Sequence, residues 1–209
     1  MENRMTLIQA ETNKHISVGI MPGHFATNHS HVNYYLDMTA IKTSFKMAKE
    51  AAYELSKEFA STDIDTIICL ESTEILGAFL ANCLSEGGIN QGKDINVITP
   101  EMNAVNQMIF RDNTQKNIWG KKVLVLVSSA STGKSILRAI DCLQYYNGDL
   151  IGVGAIFSAI SEIGDIQIKT LFNADDLPHY ENCAANECPM CQKGVKVDAL
   201  INSYGYSKL

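Results

Sequence analysis

The stretch VLVLVSSASTGKS, Val123 to Ser135, sets the frame for the whole chain. Its first five residues alternate valine and leucine, so both faces of the extended chain are apolar, as in a strand buried within a parallel sheet. Small and hydroxyl residues follow, and then Gly133, Lys134 and Ser135 lead into ILRAIDCLQYY. There Ile136, Ile140 and Leu143 recur at helical spacing, which predicts a helix over 133–146. A strand that runs through small residues into a helix suits an anion. The first N–H groups of a helix have no partner within it, the helix dipole is positive at that end, and small side chains let a phosphate approach. The same residues could equally form an ordinary helix start, with Ser131 or Thr132 as the N-cap. A nucleotide P-loop fits poorly. Gly133, Lys134 and Ser135 match the end of G-x-x-x-x-G-K-[ST], but Ser128 stands where its first glycine belongs.

The flanking segments repeat the strand–helix alternation. Residues 41–59 place Phe45, Ala48, Ala52, Leu55 and Phe59 on one helical face. TIICL, 66–70, reads as a buried strand, and EILGAFLANCLSEGG as a helix stopped by Gly87 and Gly88. Further strands are predicted at 95–99, 151–160 and 166–172. Between them, 100–119 has mixed polarity and no period, as expected of a functional loop or flap. Alternation of this kind implies an α/β fold, a mainly parallel sheet flanked by helices. Ligands of such folds sit in the loops at the carboxyl ends of the strands, here 71–74 and 128–133.

The chain has 209 residues, 46% hydrophobic and 19% charged, with a net charge of −6. That composition supports one packed domain and argues against a broad nucleic-acid or anionic-membrane surface. No apolar run reaches the length of a membrane helix, and the N-terminus lacks a signal-peptide core, so a cytoplasmic protein is expected. Its six cysteines are then thiols or metal ligands rather than a disulfide framework.

VLVLVSSASTGKS also resembles the ribose-phosphate loop of the type I phosphoribosyltransferases, where four apolar residues, two acids and two further residues precede Thr-Thr-Gly-Gly-Ser or similar. TIICLESTEILGAFLANCL resembles that family's earlier strand–loop–helix, with Glu71, Ser72 and Thr73 as the pyrophosphate loop. PGHFATNHSHVNYYLDM resembles the N-terminal segment of the orotate phosphoribosyltransferases. There a glycine-containing turn precedes an aromatic pair and an Asp, here Gly23, Tyr34, Tyr35 and Asp37. ECPMCQKGVKV resembles the Cys-Pro-x-Cys tail of that subgroup, so the likeness spans roughly residues 20–195.

The resemblance implies a five-stranded, mainly parallel core at 41–172, with a small hood built from 1–40 and 173–209 within a single domain. It implies 5-phosphoribosyl 1-pyrophosphate as substrate with Mg²⁺, transfer of phosphoribosyl to a nitrogenous base in nucleotide or pyrimidine metabolism, and a homodimer. Ser128, Ser129, Ala130, Ser131, Thr132, Gly133, Lys134 and Ser135 would hold the 5′-phosphate side of the ligand, with Glu71, Ser72 and Thr73 at its pyrophosphate. His24, Tyr34 and Tyr35 would face the base. Mg²⁺ would bind through ligand phosphates and waters.

The chain also departs from the pattern. Val127 and Ser128 stand where the family has its two acids, with Asp112 or Glu101 as conceivable replacements from the flap. Arg111 and Lys116, late in the excursion, are the cations left in a loop that in the family neutralises the leaving pyrophosphate, and with Asp112 they are the candidate catalytic residues. Met21 or Pro22 occupies the place of the lysine that faces the base, while His24, His29 and His31 cluster nearby. Two functions follow from these matches and departures: phosphoribosyl transfer, or a non-catalytic sensor of a nucleotide or phosphoribosyl compound.

The tail adds His179, Cys183, Cys188 and Cys191, spaced His-x₃-Cys-x₄-Cys-x₂-Cys. The set suits tetrahedral Zn²⁺, and also reads as free thiols or a redox or iron–sulfur site. Cys69, Cys83 and Cys142 lie on apolar elements and are expected in the core.

Overall fold

The computed structural model describes residues 2–104 and 107–209. In chain order the elements are β1 (Thr6–Gln9), β2 (Ser17–Ala26), β3 (His31–Asp37), α1 (Thr39–Thr43), α2 (Phe45–Glu58), β4 (Thr66–Cys69) and α3 (Glu74–Ser85). Then come β5 (Asn96–Ile98), β6 (Glu101–Met102), β7 (Met108–Ile109), α4 (Asp112–Gln115), β8 (Lys122–Ala130), α5 (Lys134–Tyr145) and β9 (Asp149–Ser158). The chain closes with β10 (Glu162–Ile163), β11 (Ile166–Asn173), β12 (Asn182–Cys183), α6 (Pro189–Gln192), β13 (Ala199–Asn202) and β14 (Gly205–Lys208).

The central sheet runs β10-β11-β9-β8-β4-β5, parallel throughout except for the short β10. The strand β8 explains its layering. Leu124 and Leu126 pack on one face with Ala51, Leu55, Leu76 and Leu80 of α2 and α3. Val123, Val125 and Val127 pack on the other with Ile136, Ala139 and Leu143 of α5. The helices after β4 and β8 thus lie on opposite faces, and the chain winds away from the β4/β8 boundary in both directions. That boundary is the switch point of the sheet, where the loops following two neighbouring strands part and leave a crevice.

The two chain ends share a second sheet, ordered β12-β3-β2-β13-β14 with β1 on β2. β2 and β3 form its hairpin, and the C-terminal strands add to both sides of it. Met21, Phe25, Val32, Tyr35 and Ala199 form the core of this hood.

Several elements differ from the sequence reading. The helix expected over 41–59 is broken at Ser44, which is extended and accepts the Met47 N–H at 3.5 Å as the N-cap of α2. Phe45, expected on the apolar face, is 64% exposed and meets Phe79 edge-on instead. Gly23 lies in a bulged part of β2 rather than in a turn, and Thr27–Ser30 closes the hairpin. Ser128, Ser129 and Ala130, expected in the loop, continue β8 and pair with β9. The excursion at 100–119 contains the two short strands β6 and β7 and the helix α4, with its residues 105 and 106 outside those described.

At the amino end of the central strands, Asp63 accepts hydrogen bonds from Lys122 and Lys93, which hold its carboxyl down to about 2. An unfolded Asp titrates near 4. The cluster therefore adds stability above about pH 4 that is lost as the pH falls through about 2. Asp63→Asn should flatten that part of a urea-midpoint-versus-pH curve; an unchanged acid limb would remove the cluster from the account. Leu126→Ala, at a fully buried position in the middle of β8, should cost about 2–5 kcal/mol of unfolding free energy in denaturant titration. A loss under about 1 kcal/mol would contradict close packing at the centre of the sheet.

Candidate active site at the sheet switch point

β8 outruns β4. The last ladder partner of β4 is Cys69, opposite Leu126, and the Leu70 N–H still reaches the Leu126 carbonyl at 2.9 Å. Beyond that point Ser128 and Ser129 have no strand on the β4 side. The Glu71 carboxylate takes the place of one. Its Oε2 accepts the Ser128 hydroxyl at 2.7 Å and the Ser129 N–H at 3.1 Å, while Oε1 accepts the Ser135 hydroxyl at 3.2 Å. One side chain thus joins the β4 loop, the end of β8 and the first turn of α5. Glu71 and Ser72 hold φ of 58° and 63°. Two adjacent non-glycine residues in the left-handed region cost roughly 1–2 kcal/mol each, a strain that a loop keeps where the surrounding contacts enforce it.

The turn into α5 depends on Gly133. Its φ is +73°, and a Cβ there would approach Ile163 Cδ1 to 2.8 Å, so a side chain meets both strain and collision. Gly133 is also the N-cap, and no side chain among the described residues caps the helix. The expectation of Ser131 or Thr132 as a capping residue is thereby corrected. The start of α5 opens instead into a cleft of about 250 Å³ between the central sheet and the hood. Ser129 to Ser135, Lys134 included, line its floor, with Arg138 from the next turn of α5. Tyr34, Tyr35, His29 and Tyr180 line the other side.

Electrostatically the cleft has a cationic end and an acidic end. Lys134 and Arg138 flank the helix start, where the dipole is positive. Burial, and then the charges of Lys134 and Arg138, lower the pKa of His29, whose Nε2 lies 3.5 Å from Arg138 Nη2. His29 is therefore neutral and accepts from the guanidinium. Glu71 is the one carboxylate among the described residues that line the cleft. The tail reaches the same loop: the Asn182 side-chain amide donates to the Ser131 carbonyl at 3.0 Å, and Tyr180 joins Ser131 in the cleft lining.

Of the residues singled out in the sequence, Glu71, Ser129, Ala130, Ser131, Thr132, Gly133, Lys134, Ser135, Tyr34 and Tyr35 come together here. Others do not. Ser128 is fully buried, its hydroxyl engaged by Glu71. Thr73 is also fully buried and donates to the Leu70 and Leu126 carbonyls at 2.8 and 3.2 Å, so it braces the β4 loop from behind. Ser72 lies outside the cleft lining.

Arg111 is held by Glu101 in a two-point ion pair at 2.6 and 2.7 Å, and neither they nor Asp112 and Lys116 line the cleft. Glu101 and Asp112, the conceivable replacement acids, thus lie away from the cleft, and the carboxylate that lines it is that of Glu71. His24 leaves the base pocket altogether. It is buried beneath the hood beside His31, Cys188 and Cys191. His179 and Cys183 do not join that group of four. His179 is exposed at a left-handed position, and its carbonyl accepts from Asn33. Cys69, Cys83 and Cys142 lie on packed elements, and burial raises all three thiols, to about 12 for Cys69 and about 11 for Cys142.

Arg138 and Asn182 escaped the sequence reading. Arg138 shares the face of α5 one turn after Lys134, a spacing that could have marked it. Asn182 carries no local signal.

No family model matches the chain. Among curated proteins it is similar to the orotate phosphoribosyltransferase of Campylobacter lari, at 25% identity over 189 residues, covering 84% of this chain and 89% of the relative. It is likewise similar to that of Chlorobium phaeobacteroides, at 24% identity, covering 86% and 88%. Among solved structures it resembles the Mycobacterium tuberculosis orotate phosphoribosyltransferase in complex with 5-phospho-alpha-D-ribosyl 1-diphosphate. That match has a TM-score of 0.53 and 15% identity and covers 69% of this chain and 83% of the other. A phosphoribosyltransferase from Corynebacterium diphtheriae matches with a TM-score of 0.52 and 18% identity, over 76% and 90%. The solved structures show that the chain has the type I phosphoribosyltransferase fold, and in sequence it is similar to the orotate enzymes over most of its length.

Proposed function

We propose that the cleft binds 5-phosphoribosyl 1-pyrophosphate and transfers its phosphoribosyl group to a nitrogenous base, with release of pyrophosphate. The observation that carries this reading is the meeting, in one cleft, of the uncapped start of α5 and the Glu71 carboxylate. The open N–H groups of α5, with Lys134 and Arg138, suit the 5′-phosphate. In the transfer the bond from C1 to the pyrophosphate oxygen breaks as the bond from the base nitrogen to C1 forms, and positive charge builds on the ribose. A carboxylate fixed in place beside the ribose stabilises such charge. Glu71 thereby supplies, from the loop after β4, the negative charge that Val127 and Ser128 lack.

Mg²⁺ fits this donor set only as an ion carried on the ligand's own phosphates, because the oxygens of Glu71 already accept three hydrogen bonds. Bound there it would neutralise the leaving pyrophosphate.

A second reading, binding without turnover, is favoured by the Glu101–Arg111 pair, which engages the arginine of the flap away from the cleft. Pyrophosphate release from 5-phosphoribosyl 1-pyrophosphate, assayed with a panel of bases beginning with orotate, decides between the two. Transfer requires turnover with at least one base. Nucleoside monophosphate binding without turnover on any base sinks the first reading, and failure to bind any phosphorylated ribose sinks both.

Two variants sharpen the choice. Glu71→Gln should lower kcat by roughly 10²–10³-fold while the KM for the phosphoribosyl donor changes little, as for loss of one preorganised charge. In a binding protein the same change would instead tighten affinity, by removing an anion from an anion site. Lys134→Ala should weaken nucleoside monophosphate binding by about 10- to 100-fold in calorimetric titration, the effect of losing one charged hydrogen bond. An unchanged Kd would take the 5′-phosphate off this loop.

A further inference from the structure

The hood holds a second constellation, on the side of β2 and β3 reached by the tail. His24, at the end of β2, and His31, at the start of β3, face each other across the hairpin, with His24 Nε2 and His31 Nδ1 2.9 Å apart. Cys188 and Cys191, at the two ends of the first turn of α6, close on them from the tail. Cys188 Sγ lies 3.5 Å from His24 Nε2, and Cys191 Sγ lies 3.6 Å from His24 Nε2 and 3.3 Å from His31 Nδ1. All four ligand atoms fall within 4.8 Å of one another.

A tetrahedron with metal–nitrogen bonds near 2.0 Å and metal–sulfur bonds near 2.3 Å has nitrogen–nitrogen edges of about 3.3 Å and nitrogen–sulfur edges of about 3.6 Å. The hood distances follow those edges to within a few tenths of an ångström. The surroundings also fit. His24 is buried, and its Nδ1 lies 2.9 Å from the Val195 carbonyl. Donation there assigns the proton to Nδ1 and leaves the Nε2 lone pair aimed at the two sulfurs, the outer-shell arrangement that orients a metal-bound imidazole. The Cys-Pro-Met-Cys turn is shaped as a knuckle. Pro189 opens α6, the Gly194 N–H returns to the Cys191 carbonyl at 2.9 Å with φ at +72°, and the Val195 N–H returns to the Met190 carbonyl at 2.9 Å.

We propose that His24, His31, Cys188 and Cys191 bind one Zn²⁺ as a closed, structural His₂Cys₂ site that fastens the C-terminal tail to the N-terminal hairpin. Four protein ligands leave no open position for chemistry. The ligand set differs from His179, Cys183, Cys188 and Cys191, the set spaced along the sequence. Cys183 lies beside the site, its Sγ 3.8 Å from the His31 carbonyl, without completing the quartet. The ion also bears on the cleft, because the tail segment it fastens carries Asn182 onto Ser131 and Tyr180 into the cleft lining.

The test is metal analysis of the full untagged chain purified from zinc-supplemented culture, with Co²⁺ reconstitution of chelated protein. One equivalent of zinc is expected. So are a tetrahedral Co²⁺ absorption with thiolate charge-transfer bands, and a melting temperature that falls on chelation and recovers on zinc return. His24→Ala and Cys191→Ser should lose the bound metal, whereas His179→Ala and Cys183→Ser should keep a full equivalent. Cys191 is exposed, so its variant is expected to fold, which circular dichroism verifies. Less than about 0.2 equivalents without a tetrahedral Co²⁺ spectrum would overturn the site, measured against stoichiometric structural binding. So would full retention by a folded Cys191→Ser, or loss of metal in either His179→Ala or Cys183→Ser.

Discussion

The unequal lengths of β4 and β8 govern the rest of this molecule. Because β8 runs on after β4 stops, Ser128 and Ser129 have no strand partner on one side. A backbone donor left unpaired in the interior is costly, and the remedy here is a carboxylate rather than a strand. Glu71 accepts from Ser128, Ser129 and Ser135 together. It thereby fixes the separation of the two loops that open at the switch point. The left-handed backbone of Glu71 and Ser72 follows from that demand: the loop bends back so that the carboxylate reaches β8. The same placement puts negative charge beside the uncapped start of α5, and gives the cleft its polarity.

The hood is the second structural level. Its sheet interleaves strands from both ends of the chain, so the N-terminal hairpin gains its full cover only once the tail has folded onto it. The tail then reaches further, through Asn182, to Ser131 in the loop before α5. The floor of the cleft is parallel sheet and its roof is a hairpin; Val18 and Ile20 of β2 pack into the same core as Leu124 and Leu126, and Asn182 adds a hydrogen bond at Ser131.

Much of this was legible in advance. The apolar alternation of 123–127 gave a strand because both faces of β8 are covered, and period-two patterning reports burial directly. The turn into α5 was legible because small residues in consecutive positions, ending at Gly133, separate the apolar strand from the helical period. Where the reading failed, a competing local interaction decided. Ser44 caps α2 and breaks a helix that periodicity alone would have continued, which leaves Phe45 outside. Gly23 suggested a turn, but a glycine serves a bulge equally well, and the chain turns at Thr27–Ser30 instead.

The amino-acid sequence by itself determined the succession of strands and helices, the small-residue turn into α5, and the presence of a family likeness with its acids missing. These depend on neighbours a few residues apart, and local steric and hydrophobic rules read such neighbours well. Only the tertiary structure decided which groups meet. Glu71 and Ser128 are separated by 57 residues, and His24 and Cys188 by 164. No periodicity spans such gaps. Spacing along the tail therefore pointed to His179 and Cys183, whereas folding brought His24 and His31 across the hairpin to the cysteines. The physical reason is that a site is closed by side chains converging in space, and convergence is set by sheet order and packing.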